Sequence, residues 1–204
     1  MSYLTTEAER IKTGWILVSI SSALTLSLIY WYIGNPQRFV TTRIGFDLEL
    51  LTDLSVWIFT LLIVIGYSIY TVFAIPFVKA HLFTFSWLKL IGIWAAIVTG
   101  IVEEVLFRHV LMDYLFSIDL SSFAQIIISG LVFGLVHGAW GLLRGELKVI
   151  LPVVLSTSVL GCLLAALYIF TDRSTFAPIV AHVLINIIIE PWLMLSAVSG
   201  KWKR

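Results

Sequence analysis

Charge is scarce in this chain. Asp, Glu, Lys and Arg make up 12% of its 204 residues, against roughly a quarter in a soluble domain. Hydrophobic side chains make up 60%. That imbalance excludes an ordinary soluble globular fold and implies an integral membrane protein. The net charge of +1 removes any bulk electrostatic case for a nucleic-acid partner. Cysteine is scarcer still: Cys162 stands alone in an apolar stretch, so no internal disulfide can form and the redox compartment is left open. No internal repeat, low-complexity tract or linker breaks the chain. The first apolar run starts near Gly14, lasts about twenty residues and meets no small-residue cleavage site before "IYWYIG", so it reads as a retained span rather than a signal peptide. The C-terminal "GKWKR" is not a lipidation signal.

What the chain has in abundance is long apolar runs. A span needs about 20 mostly apolar residues. Six stretches qualify, at roughly 14–34, 54–78, 87–116, 122–144, 149–170 and 176–198; the third is long enough to be tilted or broken. The expected fold is all-α, a polytopic transmembrane helical bundle of about six spans. Residues 1–204 form a single membrane domain, with N-terminal spans in 1–86 and a core of four helices in 87–198. The charged stretch "NPQRFVTTRIGFDLELLTDL" between the first two spans suits an interfacial helix. Ser86, Ser121 and Ser174 or Thr175 are placed to cap the helices that follow, and Pro178 fits a first turn. With six spans, Arg10, Lys12, Lys79, Lys89, Arg144, Lys148, Lys201, Lys203 and Arg204 fall on one side, and Arg38, Arg43 and Arg173 on the other. The basic excess predicts that both termini are cytoplasmic.

Against this background "VEEVLFRH" at 102–109 is anomalous. A charge at the centre of a membrane helix costs about 2.5–3.5 kcal/mol on insertion scales, so these side chains need partners. Positions four apart share a helix face, which lets Glu104 pair with Arg108. Glu103, about 100° round the helix, has only Gly100 and Phe107 on its own face and must look to another helix or to a wet cavity. Two later spans offer polar groups. "FGLVH" places His137 four residues after Phe133, and "HVLIN" places His182 and Asn186 four apart on one face. Polar groups in a bilayer seek one another because lipid offers no hydrogen bonds. Their depths agree to within about 10 Å at 1.5 Å per residue.

Such a set has the parts for hydrolysis by water: Glu103 to take a proton, a histidine to hold the water, and the Asn186 amide for an oxyanion. No serine or cysteine stands in a nucleophile-elbow pattern. Glu103, His137 and His182 are also the donor types of several zinc hydrolases, so a divalent metal such as zinc is a cofactor to test, although H-E-x-x-H is absent.

The residues carry a family resemblance. "EEVLFR", "FGLVH" and "HVLIN" resemble, in order, the EExxxR, FxxxH and HxxxN motifs of the CAAX-protease and bacteriocin-processing (CPBP, or Abi) family of intramembrane proteases, which includes the type II CAAX prenyl endopeptidases. The resemblance covers about half the chain, residues 87–195. It implies an intramembrane endopeptidase acting near the C-terminus of a membrane-associated or prenylated peptide. Glu103 would be the base and His137 its assistant. His182 and Asn186 would serve the oxyanion, while Glu104, Arg108 and Phe133 would support the site or orient substrate. The family is often described as metalloproteases, and a metal-free glutamate mechanism has also been argued for it. Bacterial members linked to bacteriocin maturation or self-immunity make the cytoplasmic membrane of a prokaryote the expected setting, and a non-catalytic scaffold an alternative. A proton-coupled transporter could use the same Glu, His and Arg. It would need polar residues running to both surfaces, and the sequence offers few: the second span has only hydroxyls and Tyr67 and Tyr70, and the fifth has Ser156, Thr157 and Ser158. A haem held by His137 and His182 is a further alternative, testable by an absorption spectrum.

Overall fold

The structure, a computed structural model, describes residues 4–139 and 147–202, apart from the side chains of 147–149. Among the described residues helix is the only regular secondary structure, with no strand. Seven helices carry the architecture: α1 (Glu7–Gly34), α2 (Leu54–Ala74), α3 (Trp87–Ser117), α4 (Ser122–His137), α5 (Leu147–Phe170), α6 (Phe176–Ile189) and α7 (Trp192–Ser199).

Local chemistry explains where these helices start. Thr6 and Glu9 form a reciprocal capping box at the head of α1, satisfying two backbone N–H groups that have no helical partner. Asp53 caps α2, and hydrogen bonds from the Ser55 hydroxyl and amide hold its carboxyl below the usual carboxylate range. Ser86 and Ser121 accept backbone N–H groups at the heads of α3 and α4. Ahead of α6 it is Ser174 rather than Thr175 that accepts an amide, from Phe176. Pro178 sits in that helix's first turn.

Four helices, α1, α2, α3 and α5, are long and apolar enough to cross a membrane by themselves. The expected sixth span is two helices, α6 and α7, bent by 54° at residues 190–191. Pro191 removes an amide there. The Lys89 ammonium donates to the carbonyl of Ile187, which Pro191 leaves without its helical amide, and to that of Glu190. The expected fourth span is α4, whose 16 residues reach only about 24 Å at 1.5 Å per residue. The remainder of that stretch, 140–144, lies outside the described residues. The charged stretch after α1 is helical as expected but in two short pieces rather than one, Pro36–Arg38 running on into Phe39–Arg43, and Leu48–Thr52.

The main core draws on all seven helices, with Phe77, Leu88, Phe133, Leu164, Leu167, Ile185 and Trp192 fully buried, and a smaller cluster holds Met112, Ala165 and Tyr168. Helices α4 and α5 approach most closely. A Cβ on Gly134 would sit 2.0 Å from Ser158 Oγ, and one on Gly130 would sit 2.8 Å from the Cys162 backbone nitrogen. Small residues permit such close backbone packing in membranes. At one end of the bundle Arg173 meets Asp113 (2.7 Å) and Gln125 (3.1 Å), and Tyr168 and His109 also bond Asp113. This gives His109 a structural partner at the tip of the bundle. At the opposite end the tail meets the N-terminus, with Lys201 donating to the Leu4 carbonyl. Arg144, Lys148, Lys203 and Arg204, counted in the charge asymmetry, lie outside the described side chains.

Candidate active site

Within α3, residues Val105–Met112 wind as a π-helix, a widening that recurs at functional sites. It begins directly after Glu103 and Glu104. The carbonyl of Phe107 within this stretch accepts the Ser129 hydroxyl of α4 at 3.1 Å.

Glu104 and Arg108 are fully buried, with Glu104 Oε2 2.9 Å from Arg108 Nε. The N–H is not aligned on that oxygen, so the contact is an ion pair rather than a hydrogen bond. Arg108 also donates from Nη2 to the Gly161 carbonyl at 3.2 Å, and its guanidinium lies over the Phe133 ring at 5.0 Å. The other carboxylate oxygen, Oε1, lies 2.8 Å from His182 Nδ1. The pair thus does more than neutralise itself: it holds an imidazole of α6.

The five remaining groups meet in a cavity of about 360 Å³, whose lining includes Glu103, Phe133, His137, His182 and Asn186. Glu103 Oε2 lies 3.6 Å from His137 Nε2 and 3.8 Å from His182 Nε2. Glu103 and His137 are partly open, at 21% and 16% side-chain exposure, whereas His182 is at 2%. His137 Nδ1 lies 2.9 Å from the Phe133 carbonyl. A carbonyl only accepts, so that nitrogen carries the proton. His182 Nδ1, facing a carboxylate, does the same. In their neutral forms both rings therefore present bare Nε2 lone pairs to Glu103 Oε2, a buried oxygen with no hydrogen-bond partner. Three acceptors facing one another require a donor between them, and a water molecule can supply it. Phe133 wedges the set together, 4.3 Å from the His137 ring and 5.7 Å from that of His182.

Sequence reasoning did not reach Thr99, whose hydroxyl accepts from Asn186 Nδ2 at 3.3 Å and donates to the Ala95 carbonyl at 2.8 Å. Its only sequence signal is its place one turn before Glu103. Glu190 was missed too, although it lines the cavity. Tyr67, Tyr70, Ser156 and Thr157 line this same cavity rather than a route of their own. Among the described residues no three of His, Cys, Asp and Glu form a group able to hold a metal ion.

Fold and site together define a polytopic membrane protein in which carboxylate, imidazole and amide groups meet in a cavity walled by apolar helices. Residues 85–188 match the type II CAAX prenyl endopeptidase Rce1-like family. The match spans just over half the chain and includes every residue of the cluster, so the chain belongs to that family of membrane proteases. No curated protein and no solved structure gives a significant match.

Proposed function

We propose that the protein is an intramembrane endopeptidase in which Glu103 and His137 activate a water against a peptide carbonyl. The observation that carries this reading is the partnerless Glu103 Oε2 facing two imidazole Nε2 atoms at 3.6 and 3.8 Å. A water there can donate one proton to the carboxylate and the other to His137. As its oxygen bonds to the substrate carbon, one proton passes to Glu103. The carbonyl oxygen becomes an oxyanion and accepts from Asn186 Nδ2, which Thr99 orients. His182 can donate to it from Nε2 only as an imidazolium, and Glu104 on Nδ1 is placed to balance that charge. The C–N bond then breaks, and the departing amine takes the proton held by Glu103. Every step here uses the chain's own groups; a divalent metal, if bound, would be held by Glu103, His137 and His182 and would supply a Lewis acid for the water.

The substrate class proposed is a lipidated or membrane-embedded peptide, because the cavity lies inside the bundle among helices apolar enough for the bilayer. Arg10, Lys12, Lys79 and Lys201 support cytoplasmic termini. The test is purified protein with a peptide library, prenylated and not, with and without chelator. Wild-type cleavage that Glu103→Gln lowers at least about 100-fold, at unchanged Tm, supports the scheme; equal turnover by the variant overturns it. Cleavage that survives chelation supports water activation by the chain's own groups. Loss on chelation, restored by zinc, would instead make Glu103, His137 and His182 metal ligands.

A further inference from the structure

The cavity does not end at the catalytic cluster. On α3 its lining continues from Glu103 through Thr99 to Ala96 and Ala95, about 12 Å of helix axis at 1.5 Å per residue. The two alanines leave room that larger side chains would fill. On another side the chain bend after α6 packs on α3: a Cβ on Gly92 would sit 2.8 Å from Pro191 Cδ. From this bend α7 turns 54° off the line of α6 and gives Leu193, Met194 and Ala197 to the lining. The carboxylate at the bend, Glu190, is met by the Lys89 ammonium. This arm of the cavity is otherwise apolar.

Trp202 stands at the end of the arm. Helix α7 stops at Ser199. Gly200, at φ 67°, then turns the chain back, a conformation that favours glycine. The Lys201 N–H returns to the Ser196 carbonyl at 3.0 Å, and its ammonium donates to the Leu4 carbonyl ahead of α1. Held by this turn and this tether, Trp202 is half-buried against the main core and lines the cavity, as does Leu17 of α1. The hydrolytic scheme has no use for an indole there. We infer that Trp202 is a specificity residue: it is the end wall of the apolar arm and limits the length of the apolar substrate group admitted. The inference rests on the hydrolase reading above. A lipid chain on the peptide and the peptide's own side chains would meet the same apolar walls.

Two peptide series separate these sources. One carries an S-octyl, S-dodecyl or S-hexadecyl cysteine in a fixed sequence. The other is unlipidated, with Ala, Leu or Trp at the positions flanking the cleaved bond. Each is read as kcat/KM with active protein and as affinity by calorimetry in the Glu103→Gln background. The long-to-short ratio is compared between variants, so that partition into detergent cancels. In Trp202→Ala protein that ratio should rise about tenfold over wild type in at least one series, as burial of two further methylenes implies. Trp202→Leu should be intermediate, and it decides the matter if Trp202→Ala does not fold. A response of the lipid series assigns the arm to a lipid chain, and a response of the other assigns it to side chains; either supports the wall. Unchanged ratios in both series overturn the inference, while Glu103-dependent cleavage in the same assays leaves hydrolysis standing. A shifted ratio in affinity with no cleavage of any peptide supports the wall and removes the hydrolase reading.

Discussion

Glu103 and Glu104 are adjacent in sequence and differ in surroundings. Glu104 is sealed, with Arg108 on one oxygen and His182 on the other. Glu103 opens on the cavity with an oxygen that no protein group satisfies. The periodicity of a helix predicts this split, since only one of two neighbours can share a face with Arg108. It could not predict that Glu104 would also orient His182, because that contact crosses from α3 to α6. At this scale Thr99 gives a clean test. Thr99→Val removes the acceptor for Asn186 but keeps the shape, and should lower kcat about five- to tenfold, as loss of one hydrogen bond of about 1 kcal/mol implies. Thr99→Ser should restore most of it. Equal kcat in wild type and Thr99→Val would separate Asn186 from the reaction.

Helix α3 is the element on which the site depends. It carries Thr99, both glutamates and Arg108, and its π-helical stretch joins two α-helical lengths, Trp87–Glu104 and Asp113–Ser117. Arg108→Ala would leave Glu104 buried without its cation. Breaking a buried pair costs about 3–5 kcal/mol, so the variant's Tm in detergent should fall well below wild type. An unchanged Tm would show the pair to be dispensable for stability. The α4–α5 seam is equally constrained. Gly134→Ala would put a methyl 2.5 Å from the Val154 carbonyl, and overpacking of this kind costs about 1–3 kcal/mol. Gly66→Ala on α2 meets nothing within 4 Å and should leave Tm unchanged or slightly higher. Similar melting of the two variants would argue against the close seam.

Across the whole molecule, the two ends of the bundle differ in kind. One end ties Arg43, Gly45 and Arg173 to α3, α4 and the start of α6 through side-chain to backbone and ionic contacts. The other gathers Arg10, Lys12, Lys79 and Lys201 around the N-terminus, the α2–α3 connection and the end of α7. If the basic end is cytoplasmic, a cysteine at Asp47 in a Cys162→Ala background should react with an impermeant maleimide added to intact cells, and a cysteine at Lys201 should not. The reverse pattern would invert the orientation.

Membrane class, helical fold and three motif-bearing segments were legible in the sequence, because the hydrophobic effect acts on composition and run length, and both are written in one dimension. The intrahelical Glu104–Arg108 pair was legible for the same reason: it needs only helical spacing. Interhelical contacts decided the rest. The short α4, the bend after α6, the hold of Glu104 on His182, that of Thr99 on Asn186 and the entry of Glu190 into the cavity all depend on which helix faces which. Packing of side chains from distant segments sets those pairings, and no spacing along the chain encodes them.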